Sequence, residues 1–291
     1  MRTLDLNKWR RVGEGGNSVV YECPAEPGVV LRVNNPRINT LPLVEHEFNV
    51  SKAVEDLGLT TPRMQEIVEV GDHFYGTIQE RIRGKKSLSR ICHDNPSRIG
   101  EMARVLCEEG RKLFGTPCPT ERFPSRKEQL LGVVDEARFL TRKEREMVRG
   151  FAYSIPECDY CIHGDFQSGN LVSSEGKYYW IDLDRFAHGD PLFDLGHLYF
   201  ICHIVSPMKR VQDIFHLTEE QLHQFWHAFA TAYTGKEDHS SLDAKAGKFA
   251  LLDMVVRINF QRPNFLENLF YRHQARKIIK AFYPASSQRL P

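Results

Sequence analysis

The chain has 291 residues, 41% of them hydrophobic and 26% charged, with a formal net charge of +1. This is an ordinary globular balance, long enough for one large domain or two lobes sharing a cleft. It gives no global field for nucleic acid or a membrane surface. No apolar run reaches the ~18 residues of a membrane span. Met1 to Lys8 lacks the apolar core of a secretory signal. Seven scattered cysteines, an odd number, suit reduced thiols better than a disulfide framework, so a cytoplasmic protein is expected.

Asn17–Cys23 and Val29–Val33 are β-branched runs joined by a turn with Pro24, Pro27 and Gly28, and both read as strands. Ahead of them lies a glycine-rich turn, Gly13-Glu14-Gly15-Gly16-Asn17-Ser18. In Leu43–Leu57 the spacing becomes helical, with Val44, Phe48, Ser51, Val54 and Leu57 recurring at three and four and Gly58 as a stop. Gln65–Val70 and Phe74–Glu80 return to strand around a Gly71-Asp72 turn. Residues 1–84 are thus expected to form a small β-rich lobe with one helix.

Beyond Gly84 the pattern is helical. Ile99, Met102, Ala103, Leu106, Cys107, Leu113 and Phe114 mark one amphipathic helix. Thr141 to Glu144 and Thr218 to Gln221 have capping-box spacing and open two more. The second of these turns Leu222, Phe225, Trp226 and Phe229 inward. One hairpin interrupts the helices: Leu171–Ser173, a turn at Ser174-Glu175-Gly176, and a return strand Tyr178–Asp184. Residues 85–291 are expected to be a larger, mainly helical lobe holding this hairpin, ending in a polar tail from Pro284 to Pro291. The overall class is α+β and bilobal. Cys158 and Cys161 form a lone CxxC without the second pair that a zinc site needs, and they read as ordinary thiols.

The chemistry concentrates near the hairpin. His163-Gly164-Asp165 is followed by Asn170, and Asp182 and Asp184 stand on the return strand. Phosphoryl transfer needs a carboxylate to orient the acceptor hydroxyl and take its proton, and oxygen ligands for Mg2+ on the nucleotide phosphates. The glycine-rich turn allows a backbone to approach phosphates, although no Gly-Lys-Ser/Thr makes it a Walker A loop.

These residues resemble the aminoglycoside phosphotransferase and choline kinase family, which has a protein-kinase-like fold; the resemblance implies that residues 1–84 are an N-terminal nucleotide-binding lobe, a five-stranded antiparallel sheet with one helix, and residues 85–291 a C-terminal catalytic and substrate-binding lobe. The likeness rests on Ile162 to Asp165, Asn170-Leu171, Ile181-Asp182, Gly189-Asp190-Pro191 and Asp194-Leu195. The resemblance implies that Asp165 is the catalytic base and that His163 holds its loop. It implies Asn170 and Asp182 as Mg2+ ligands and Asp194 as a buried brace on loop N–H groups. Gly13, Gly15, Gly16, Asn17 and Ser18 look like the nucleotide-covering loop. Backbone groups around Glu80 to Ile82 look like the adenine hinge, and Glu47 falls at the family's helix glutamate.

Two positions depart from the family. Arg32 stands where the third strand usually has a lysine; it keeps the charge and can pair with Glu47, but its head is planar and larger. Asp184 is an extra carboxylate, either a further Mg2+ ligand or a partner of Arg185. The acceptor candidates are His197, Tyr199, His203, Trp226, Asn259, Arg262 and Tyr271. Arg257, Arg262, Arg272 and Arg276 make the C-terminal helices basic.

The implied function is transfer of the ATP γ-phosphate, with GTP as the alternative donor, to a hydroxyl of a sugar, amino alcohol or aminoglycoside-like molecule. The partners are then nucleotide, Mg2+ and acceptor, with no nucleic acid and no membrane span, in a monomer or dimer. The alternatives are a nucleotide-binding pseudokinase acting as an interaction module, or a kinase of lipopolysaccharide sugar or protein. Gly189 to Asp194 follows Asp184 too closely for an ordinary protein-kinase activation segment.

Overall fold

A computed structural model describes residues 1–14, 18–36, 39–71, 74–259 and 264–283. The chain divides into two compact units, Met1–Lys86 with Leu171–Asp184, and Ser87–Asn170 with the chain from Arg185 onward. The hairpin that the sequence assigns to 85–291 therefore belongs with the first unit.

The first unit is built on a six-stranded sheet. Its strands are β1 (Arg2–Thr3), β2 (Arg10–Glu14), β3 (Ser18–Glu22), β4 (Val29–Asn34), β5 (Met64–Glu69) and β6 (Tyr75–Glu80), in the order β1-β5-β6-β4-β3-β2. Five strands pair antiparallel, as expected. The sixth, β1, adds parallel to β5, with Leu4 N–H donating to Glu69 O at 2.7 Å. A two-residue strand has no alternation to read, which is why the sequence reading counts five.

Alternation in β4 decides which side chains serve the core and which the site. Val29, Leu31 and Val33 pack with Trp9, Val68, Val70 and Ile78. Val30, Arg32 and Asn34 then face the opposite side. Arg32 sits opposite Val20 of β3 and Thr77 of β6. Gly76 is needed beside it: a Cβ there would stand 2.7 Å from Leu31 Cδ1 and 2.9 Å from Arg32 O. Helix α1 (Leu41–Asp56) packs on β5 and β6, buries Val44, Val50, Ala53 and Val54, and ends before Gly58 at φ +78°. Phe48 and Ser51, expected on its core stripe, are only half-buried.

In the hairpin, Leu171–Ser174 pairs with Lys177–Trp180 around Glu175 and Gly176, both at positive φ, the geometry of a tight two-residue turn. Trp180 N–H donates to Thr60 O at 2.9 Å, and Ser174 Oγ donates to Arg83 O at 2.6 Å. The return strand is shorter than the expected Tyr178–Asp184. It stops at Trp180, and Asp182 at φ +56° has left the extended region.

The second unit holds α2 (Leu88–Asp94), α3 (Ile99–Phe114), α4 (Arg126–Val133), α5 (Arg142–Ser154), α6 (Leu192–Tyr199), α7 (Lys209–Phe215), α8 (Glu219–Thr234), α9 (Ser240–Val256) and α10 (Phe265–Phe282). The expected stripe of α3 is buried. Both expected capping boxes form, on α5 and α8, and Asn264 with Glu267 makes a third on α10. Helix α9 is buried almost all round, and Gly196 lets α6 lie against it: a Cβ would stand 2.6 Å from Phe249 Cβ. Among the described residues no helix is long and apolar enough to cross a membrane.

Candidate active site

In the second unit Cys161–Ile162 pairs with Ala187–His188 and delivers the chain to His163. Asp194, fully buried, accepts His163 N–H on Oδ2 at 2.6 Å and Gly164 N–H on Oδ1 at 2.8 Å. This clamps the loop from below. Burial pushes the Asp194 carboxyl up to about 6, against the pull of those two N–H groups. Gly164, at φ +79°, has no room for a Cβ beside Arg126 and the Arg185 carbonyl. Arg126, itself buried, donates to that carbonyl at 2.6 Å.

The clamped loop presents Asp165, whose backbone N–H donates to His163 Nδ1 at 3.3 Å. Its Oδ2 accepts Asn170 Nδ2 at 3.0 Å and Gln167 Nε2 at 3.4 Å. Its Oδ1 faces His197 Nε2 at 3.0 Å, Arg257 Nη2 at 3.4 Å and Arg185 Nη1 at 3.6 Å. Burial opposes ionisation of Asp165, but His197, Arg257 and Arg185 together hold its carboxyl well below the usual range. His197 also meets Asp253 Oδ2 through Nδ1 at 3.0 Å, and Arg257 Nε donates to the same oxygen at 2.8 Å. Burial and Arg257 disfavour the imidazolium; the two flanking carboxylates overcome both and raise the His197 pKa.

The sequence reading named His197 and Arg257 but did not connect them to Asp165, and it missed Asp253. No local pattern links them, since they lie on α6, on α9 and just past α9. Of the other acceptor candidates, Trp226 is 1% exposed and donates Nε1–H to Asp243 at 2.8 Å. Tyr199 and His203 pack against it, and Tyr271 packs on Phe139. The Asn259 side chain and Arg262 lie outside the described residues, as do Gly15, Gly16, Asn17, Asp72 and the tail from Pro284.

In the first unit, Arg32 is a hub. Its Nε donates to Ser18 Oγ at 3.0 Å, Nη1 to Glu47 Oε2 at 3.2 Å and Nη2 to Asp182 Oδ1 at 3.1 Å. Asn34 Nδ2 supports Glu47 at 3.1 Å. A cavity of about 280 Å³ opens over this hub, lined by Gly13, Ser18, Arg32, Glu47, Asp182 and Asp184 among others. A second cavity of about 680 Å³ shares Gly13 and is bordered by Val30, Glu80, Ile82 and Lys85. In this strand-end segment, Glu80 N–H donates to Arg63 O and Arg81 N–H to Gly28 O. The Glu80 carboxylate turns to Arg63, and Asp184 lends its carbonyl to His46 Nε2 at 3.2 Å.

The oxygen donors suit a hard cation. In the second unit Asn170 uses its amide nitrogen on Asp165, which leaves its oxygen to accept; in the first unit, taken by itself, the Asp182 carboxylate is about half exposed. Among the described residues no three His, Cys, Asp or Glu side chains cluster as a self-sufficient metal site. Mg2+ rarely needs one, because phosphates and water fill most of its shell. All seven cysteines are free thiols.

The fold is a mixed α+β architecture like that of kinase structures. The chain belongs to the phosphotransferase enzyme family, whose model matches residues 8–239. It is similar to a choline/ethanolamine kinase family protein from Mesorhizobium loti, at TM-score 0.56 and 17% identity, covering 96% of this chain and 89% of that one. A thermostable mutant of aminoglycoside phosphotransferase APH(4)-Ia, in ternary complex with ADP and hygromycin B, aligns at TM-score 0.58 and 14% identity over 95% of both chains. The streptomycin–ATP complex of APH(2")-IIa aligns at TM-score 0.53 and 14% identity, covering 94% of this chain and 91% of that one. No curated protein matches the sequence significantly.

Proposed function

We propose that the protein transfers the γ-phosphoryl group of ATP, or of GTP as the alternative donor, to a hydroxyl of a small molecule of the sugar, amino alcohol or aminoglycoside class. The observation that carries this reading is Asp165: an ionised carboxylate on a clamped loop, 21% exposed, with Asn170 against it. The choline/ethanolamine kinase and aminoglycoside phosphotransferase neighbours support the choice of acceptor classes.

In this reading the first unit binds nucleotide over Arg32, with Gly13, Gly15, Gly16, Asn17 and Ser18 as its covering loop. Glu80 and Arg81 already spend their N–H groups on Arg63 and Gly28, so within the Glu80 to Ile82 hinge the N–H assigned to the adenine edge is that of Ile82, with backbone carbonyls of the same segment as acceptors. Asn170, Asp182 and Asp184 would hold Mg2+, which neutralises phosphate charge when bound. The acceptor hydroxyl donates its hydrogen bond to Asp165. As its oxygen bonds to the γ-phosphorus, the bond to the β–γ bridging oxygen breaks and the nucleoside diphosphate leaves. The hydroxyl proton passes to the Asp165 carboxylate. A base of such low affinity for protons suits a loose transition state, where orientation matters more than early deprotonation. His163 keeps the loop in place from below.

The test is nucleotide consumption over a panel of hydroxylated metabolites and aminoglycosides, with Asp165→Ala as control. A hit is expected whose kcat falls at least ~100-fold in the variant while nucleotide affinity stays. Nucleotide binding without transfer to any acceptor would instead favour the pseudokinase reading.

A further inference from the structure

We propose that Lys85 is a phosphate-binding residue, the cation that meets the nucleotide's polyphosphate in the first unit. This deepens the reading above and rests on that cavity being the nucleotide site.

Arg32 cannot fill the role alone. Each nitrogen of its guanidinium already has a partner: Nε on Ser18, Nη1 on Glu47, Nη2 on Asp182. These bonds use three of its five N–H groups, and two of the three partners are carboxylates that already share its charge. The cavity around it is also rich in acid. Glu47, Asp182 and Asp184 all line it, so one guanidinium faces three carboxylates. A polyanion entering there needs further positive charge.

Lys85 supplies it. Among the described residues it is the other cation lining the Arg32 cavity, and it also borders the adjoining larger cavity, as Ile82 does. One flexible side chain thus reaches both the hinge segment and the Arg32–Asp182 pair. It forms no ion pair or hydrogen bond among the described residues. Burial pulls its ammonium below the ordinary lysine range, with Asp182 pulling back and Arg32 adding to the loss. An ammonium on a flexible stem with no such partner is available to an incoming anion. Gly84, at φ +59°, turns the chain just before Lys85 and sets its direction.

The neighbouring basic residues do not compete. Arg81 is committed to Glu22 at 2.5 Å, and Arg83 borders only the larger cavity. Lys85 is an exposed residue as a whole, so replacing it leaves the core of the unit untouched.

Calorimetric titration of the full-length protein with ATP, ADP, AMP and adenosine, in the presence of Mg2+, tests the assignment. Lys85→Ala should weaken ATP and ADP by about 10- to 100-fold, leave adenosine within about twofold, and be largely rescued by Lys85→Arg. Wild-type protein that binds ATP, with Lys85→Ala binding it equally well, would overturn the phosphate role and leave the nucleotide reading intact. Equal losses for ATP and adenosine would also overturn it, by placing Lys85 at the nucleoside. Wild-type protein that binds no nucleotide would overturn the nucleotide reading, and the Lys85 assignment with it.

Discussion

At Asp165 the two carboxylate oxygens meet different worlds. Oδ2 faces the amides of Asn170 and Gln167, and Oδ1 faces the His197 imidazole and the guanidinium groups of Arg257 and Arg185. His197 is therefore a positioning residue, acting through Asp165 and held in turn by Asp253. His197→Asn removes the imidazolium and leaves Asp165 easier to protonate. The acid limb of the kcat–pH profile should move to higher pH, with KM for nucleotide unchanged. A loss of kcat with an unshifted limb would mean that His197 only supports the fold. Asp253 gives a stability prediction. Burial pushes its carboxyl up, but Arg257 and His197 hold it well below 3.8. As pH falls through the ordinary carboxylate range, the unfolded chain takes up a proton that the folded chain refuses, so stability is lost on acidification. Asp253→Asn should cost roughly 3 kcal/mol at pH 7 in urea unfolding, and the gap to wild type should narrow below about pH 4. Spacing alone singles out Asp165 and Asn170, since five residues of one loop bring them together. Asp253 stays hidden, because its tie to Asp165 runs through a tertiary contact that leaves no trace in local sequence.

Helices were legible where they are half-wet and capped. α3 shows a clean apolar stripe, and α5 and α8 announce themselves through Thr141 and Thr218. α9 has no polar face to contrast with its apolar one: Leu242, Ala246 and the run from Phe249 to Val256 are all buried, so no periodicity stands out. Yet α9 carries Asp253 and leads into Arg257. Its seat against α6 depends on Gly196, whose missing side chain leaves room for the Phe249 backbone. Gly196→Ala should cost ~1–3 kcal/mol and, by shifting α6 with His197, lower kcat as well. Thr218→Ala on α8, far from these contacts in role, should cost ~1 kcal/mol through its lost cap and leave kcat alone. Denaturant midpoints together with turnover would separate the two.

For the whole molecule, the α+β class was legible because strand-type alternation fills the first 84 residues and helical spacing dominates the rest. What composition and pattern cannot show is that Leu171–Asp184 joins the N-terminal unit. That membership comes from tertiary contacts: Leu171–Ser174 pairs with the short strand Lys86–Ser87, Trp180 bonds to Thr60 and Ser174 to Arg83. A fragment ending at Lys86 lacks those partners and the Asp182 end of the Arg32 hub. It should show little cooperative unfolding by circular dichroism, whereas the same fragment fused through a short linker to residues 171–184 should regain it. The divided unit also sets a timetable. On the ribosome the first sheet emerges early, but its last pieces follow only after roughly a hundred further residues, several seconds or more of elongation at about 5–20 residues per second. During that wait the Thr60 and Arg83 carbonyls and the acid-binding side of Arg32 stand open. The nascent protein is then most exposed to wrong pairings, and a rare-codon cluster placed between Lys86 and Leu171 would lower the yield of folded protein more than one placed after Asp184.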